Sequence, residues 1–145
     1  MEKADELLAR RMAEFETFRA ERLPVLHEFC KALGFDHPHE VLIEPNKFLP
    51  LLDRGLQHAV ISEENRAWLV TRIGYYIGEY LISLLGGYWL VDQDPLSPSF
   101  ARYVVGDFSC EGANTEVIDP FEIAQRYATT PEPRFLRQEI EKQLV

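Results

Sequence analysis

The segment Ile73–Trp89, IGYYIGEYLISLLGGYW, constrains the fold more than any other part of the chain. Leu69, Ile73, Ile77, Leu81 and Leu84 recur at helical spacing and make one apolar stripe, widened by Tyr76 and Tyr80. Ser62-Glu63-Glu64-Asn65 offers a hydroxyl cap followed by acids in the first turn, so a helix is expected from 62 to about 85. Gly86-Gly87 stops it, and Tyr88-Trp89-Leu90-Val91 turns the pattern into a strand. Gly74 and Gly78 share one helix face and are expected to admit another backbone. So apolar a segment raises a membrane reading. Glu79 near its middle argues against it, because a charge at the bilayer centre costs about 2.5–3.5 kcal/mol. A buried core helix that feeds a sheet accounts for the same residues.

The elements around this segment are predominantly helical before it and mixed after it. Leu7, Leu8, Phe15 and Phe18 predict an amphipathic helix over 4–22. Pro24 fits the first turn of a second helix, 24–33, with Val25, Leu26, Phe29 and Leu33 inward and Gly34 as its stop. Asp36–Glu40 reads as a polar connection, and 41–44 as a short strand or one helical turn. Asn46 is placed to cap a helix running to about His58. Downstream, strands are expected at 88–91, 100–105 and 115–118, with a loop or short strand at 108–113. Asp119-Pro120 opens a helix, with Asp119 as cap and Pro120 at its first position, and a final helix is expected over 134–144. Segregated helices and strands define an α+β class, with a long central helix packed on a small antiparallel sheet and closing C-terminal helices. A chain of 145 residues, 46% hydrophobic, suits one domain, 1–145, with a real core.

Charge is uneven. The formal net charge is −9, and between Trp89 and Glu122 seven acids face only Arg102. Those acids are Asp92, Asp94, Asp107, Glu111, Glu116, Asp119 and Glu122. Such a surface repels phosphate backbones and attracts cations, so nucleic acid is disfavoured as a partner and a protein with a basic surface is favoured. The plain alternative is that the acids keep a sheet edge soluble. The charged N-terminal segment lacks the apolar core of a secretory signal, and Cys30 and Cys110 read as reduced, buried thiols; a cytoplasmic location is expected.

Chemistry-bearing residues are few. Glu79 in an apolar helix, with Tyr75 and Arg72 within reach of its face, defines a pocket hypothesis in which burial raises a carboxyl for acid–base work. Without a partner acid or nucleophile, a structural role is the stronger reading, and no catalytic residue is assigned. His37-Pro38-His39, flanked by Asp36 and Glu40, has metal-ligating residue types but no distant ligand pair, so no metal is expected. His27 and Cys30 share a helix face, a pairing more typical of packing than of zinc ligation. The acids match no calcium loop, and no glycine-rich phosphate cradle or nucleophile elbow is present; no cofactor is expected.

Three motifs carry a resemblance: Tyr76-Ile77-Gly78-Glu79-Tyr80-Leu81, Leu85-Gly86-Gly87-Tyr88-Trp89 and Asp119-Pro120-Phe121. Together they resemble a pattern in small bacterial domains of unknown function, with a Gly-Glu pair in a helix, a glycine stop, a Trp strand and a Pro-Phe helix start. The resemblance spans about residues 72–127. It implies a non-enzymatic bacterial protein-binding protein, since some acidic proteins of this appearance are immunity proteins that neutralise toxins. The expected partner-binding residues are Asp92, Asp94, Asp107, Glu111 and Glu116, with Tyr88 or Tyr103 as aromatic anchors. The competing readings are an enzyme or small-ligand binder using Glu79, Tyr75 and Arg72, and an adaptor that forms a homodimer through its N-terminal helix.

Overall fold

A computed structural model describes residues 3–145. Helix α1 (Ala4–Ala32) is followed by α2 (His39–Ile43), a 3₁₀ turn (Pro45–Phe48), α3 (Leu49–Leu56) and the central α4 (Arg66–Leu85). Strands β1 (Tyr88–Val91), β2 (Tyr103–Gly106) and β3 (Val117–Ile118) form an antiparallel sheet in that order. Helices α5 (Pro120–Thr129) and α6 (Leu136–Glu141) close the chain. This is the expected α+β arrangement.

The two N-terminal helices are one. Pro24 sits inside α1 and is exposed, so the carbonyl it leaves without a helical partner, that of exposed Ala20, is on the solvent side. The apolar positions run through the proline at helical spacing: Phe18 before it and Leu26, Phe29 and Cys30 after it are all buried. Gly34 stops the helix as expected. With φ at 91° it lets its own N–H reach Lys31 and that of Phe35 reach Cys30, a Schellman closure.

Residues 41–43 take the helical alternative as the end of α2, and Asn46 is not a cap, because it lies inside the 3₁₀ turn that Pro45 starts and α3 begins only at Leu49. The start of α4 moves from Ser62 to Arg66. Ser62 and Asn65 instead exchange side-chain and backbone hydrogen bonds, with Ser62 N–H donating to Asn65 Oδ1 at 2.7 Å, which closes a turn before the helix. Within α4 the buried stripe is Leu69, Ile73, Ile77, Leu81 and Leu85, a strict interval of four. Leu84, expected inward, is 39% exposed, since an interval of three there rotates it off the stripe.

Two glycines of α4 position the rest of the core. They admit rings, where a backbone was expected. A Cβ at Gly78 would strike the indole of Trp89, and one at Gly74 would strike the ring of Phe121. Trp89 from β1, Phe121 from α5 and Phe18 from α1 thus meet over α4, with ring centroids 5.0–6.1 Å apart. Elsewhere Tyr76 donates to the carbonyl of Pro45 at 2.8 Å and Tyr127 to that of Leu56 at 3.0 Å, tying α4 and α5 to the segment around α3.

The second strand starts at Tyr103 and not at 100. Asp92 N–H donates to Arg102, while Ala101 N–H donates to the carbonyl of Asp92, so two residues oppose one and Ala101 is left-handed at φ 63°. The third strand shrinks to Val117–Ile118, and Ala113 makes a lone bridge with Leu144. The last helix covers only Leu136–Glu141 of the expected 134–144. Among the described residues no helix is long and apolar enough to cross a membrane.

Candidate functional site

Glu79 lies on the edge of α4, and its carboxylate is committed to neighbouring elements. One oxygen, Oε2, accepts from Trp89 Nε1 at 2.6 Å and from Arg22 Nε at 3.0 Å. The two side chains of the ion pair are only 12% and 20% exposed. Tyr75 and Arg72 are not brought to this carboxylate. The guanidinium of Arg72 lies over the ring of Trp68, 4.2 Å from its centroid, and donates to that residue's carbonyl. Tyr75 is buried against Phe18 and Phe121, and that burial, helped by the Glu21 charge and opposed by Arg72, raises its phenol above the ordinary range. Three elements are clamped at Glu79, and the chemistry available there is hydrogen bonding. Arg22 was not expected as its partner; it comes from α1, fifty-seven residues before Glu79 in the chain.

The acidic residues divide into internal and external sets. Asp92 is buried at the end of β1. It accepts from the hydroxyls of Ser97 and Ser99 at 2.5 and 2.6 Å and from Asp94 N–H at 3.1 Å. Burial pushes its carboxyl up, but the two hydroxyls and the amide together outweigh that and hold it below the usual range. Asp119 is buried too. As cap of α5 it accepts from the amides of Phe121 and Glu122, and its other oxygen lies 2.7 Å from Arg102 Nε. Here burial outweighs the guanidinium and amides, and the carboxyl rises. Asp92 is therefore a loop organiser, a role signalled in the sequence by the hydroxyls of Asp92-x-Asp94-x-x-Ser97-x-Ser99.

Asp94, Glu116 and Glu122 are exposed, and they share one feature. With Asp92, Asp119, Ile123, Arg126 and the 96–99 loop they line an open groove of about 590 Å³ between that loop, the 115–118 segment and α5. Five carboxylates line it against the single guanidinium of Arg126, which pairs with Glu122 at 3.0 Å. Glu116 also lines a neighbouring depression with Asp107, Phe108 and Val117. Glu111 is exposed but lines neither hollow. Leu96 stands at the groove's lip, 92% exposed.

The two aromatic candidates separate as well. Tyr88 is 66% exposed on β1. Tyr103 packs on Phe15 and Phe18 and donates its hydroxyl to the carbonyl of Arg11 at 2.8 Å, so it fastens α1 to the sheet. His37 and His39 rings lie 6.0 Å apart, edge to face, and no group of three or more His, Cys, Asp or Glu among the described residues is arranged to hold a metal ion. Cys30 is buried as expected, and burial raises its thiol to about 11; Cys110 is exposed, contrary to expectation, because its loop lies outside the sheet.

No family model, no curated protein and no solved structure matches the chain. The site rests on its own geometry.

Proposed function

We propose that this is a non-enzymatic protein-binding protein that receives a basic segment of its partner in the groove between the 92–99 loop and α5. The observation that carries the reading is the lining of that groove, five carboxylates against one guanidinium. Asp94 and Glu116 present their charge to solvent, Asp92 adds field from the wall, and Asp119, paired with Arg102, holds the rim in place. Complementary charge of this kind steers association and discriminates among partners more than it adds affinity. Leu96 at the lip supplies apolar surface of the sort that anchors such contacts, while exposed Tyr88 lies outside the groove's lining. In this reading the chain acts as an immunity-type protein that covers a cationic surface of a toxin, in a bacterial cytoplasm. The Glu79 pocket is the weaker reading, because that carboxylate is already occupied by Arg22 and Trp89.

The test is affinity capture from the host lysate with the native chain and with a triple variant, Asp94→Lys, Glu116→Lys and Glu122→Lys, followed by mass spectrometry. A basic protein held by the native chain at low salt, released by salt and lost by the variant is the expected result. Equal capture by both chains would remove the groove from the account. The immunity reading further requires that the captured protein be toxic and be silenced by an equimolar amount of the native chain.

A further inference from the structure

A second hollow, of about 470 Å³, lies between the turn after α1 and helix α3. Its size is in the range of pockets that hold small molecules, about 300–1,000 Å³. Leu33, Phe35, Phe48 and Leu51 give it apolar walls, and the rings of Phe35 and Phe48 stack with centroids 5.9 Å apart. Gly55 forms part of the wall. It is in regular helix, and a Cβ there would meet nothing within 4 Å. Neither backbone conformation nor packing calls for glycine at 55, although glycine weakens a helix. Without a side chain at 55, that stretch of the wall carries no atoms beyond the backbone.

The rim carries charge of both signs. Asp36 and Glu40 stand on one segment and Arg54 on α3, and among the described residues no ion pair within 4.0 Å joins them. Glu40 acts electrostatically on Lys47, which is itself bonded to Glu44 at 2.8 Å. Neither Asp36 nor Arg54 has a side-chain hydrogen bond among the described residues. Opposite charges thus share one mouth above an apolar floor, with no ion pair joining them among the described residues.

We propose that this pocket binds a free α-amino acid with a large apolar side chain. The side chain lies against Phe35, Phe48 and Leu51, the carboxylate meets the fork of Arg54, and the ammonium meets Asp36 and Glu40. A ligand with only one charge leaves half of the rim unmatched, and a purely apolar ligand leaves all of it.

The experiment follows backbone amides of the full chain by NMR during titration with L-phenylalanine, phenylalaninamide, N-acetylphenylalanine and L-alanine. L-Phenylalanine is expected to shift Gly34, Phe35 and Gly55 at low-millimolar concentration. The amide lacks the carboxylate and the acetyl compound lacks the ammonium, so each is expected to bind about tenfold or more weakly. L-Alanine, with both charges but no apolar body, should leave these amides in place. Arg54→Gln on the exposed rim should lower L-phenylalanine to the level of the amide and leave the amide unchanged, while Gly55→Leu should fill the hollow and abolish every shift. If Gly55→Leu fails to fold, the Arg54→Gln comparison decides alone. Absence of shifts with L-phenylalanine at about 10 mM, a concentration corresponding to roughly −3 kcal/mol of binding, would overturn the proposal. Equal binding of the zwitterion and its two derivatives would overturn it as well.

Discussion

Glu79 and Gly78 are adjacent on α4 and act on the same indole, one through its N–H and the other by leaving room for its ring. Their replacement should reveal different physics. Glu79→Gln keeps an acceptor for Trp89 but loses the ion pair with Arg22, and is expected to cost about 1.5–3 kcal/mol in urea unfolding; Glu79→Ala should cost more, since Arg22 and the indole are then both left without it. Gly78→Ala gains helix propensity yet forces the anchored indole aside, so a net loss of about 1–3 kcal/mol is expected in the same measurement. The thiols give a residue-scale test of burial. Cys110 should react with a thiol reagent in the native protein, whereas Cys30, buried and raised to about 11, should react only on unfolding. Glu79 was legible as a buried-looking carboxylate, but its partners were not. Trp89 is ten residues away and Arg22 fifty-seven, and no local spacing rule reaches either.

Elements announced by local chemistry are legible in the sequence almost to the residue. Asp119-Pro120 fixed the start of α5 because capping and proline geometry act within one turn, and Gly34 and Gly86 ended their helices through left-handed backbone at φ 91° and 70°. Elements whose limits depend on tertiary contacts are not. Helix α1 continues through Pro24 because Leu26, Phe29 and Cys30 remain buried beyond it, and β2 starts late because the 92–102 bulge absorbs its first residues. The cap and the loop lead to separate tests. Asp119→Ala should cost about 1–2 kcal/mol by removing both cap bonds and the partner of Arg102. Asp92 has a carboxyl held below its ordinary value of 3.8, so its contribution is present above that pH and is lost as pH falls below it. Asp92→Asn should therefore lower stability near neutrality by about 1–2 kcal/mol and flatten the acid limb of the stability profile.

Across the molecule, the acid-rich stretch was legible as composition, but its division was not. Two of its seven carboxylates, Asp92 and Asp119, are buried and hold structure, and Arg126, thirty-four residues beyond Asp92, faces the same groove from α5. Fold closure alone gathers them. The opposite end of the pH scale tests the core as a whole. Burial raises Cys30 to about 11 and Tyr127 to about 12, and raises Tyr76 as well. In each case the folded value lies above the ordinary one, 9.0 for the thiol and 10.0 for the phenols, so folding favours the protonated form. That stability is complete below the ordinary values and drains away as pH rises through the folded ones. Circular dichroism should record alkaline unfolding beginning above about pH 9–10, with Tyr127→Phe less steep on that limb although weaker at neutrality for want of its bond to Leu56. Helix α1 adds a mechanical consequence. Its hydrogen-bond ladder lacks the rung that Pro24 would supply, and Phe18 and the Arg22–Glu79 pair hold the part before the gap, while Leu26, Phe29 and Cys30 hold the part after it. A pull on the N-terminus is therefore expected to peel α1 in two stages, the part before the proline giving way with Phe18 and the Arg22–Glu79 pair before Leu26, Phe29 and Cys30 take the load.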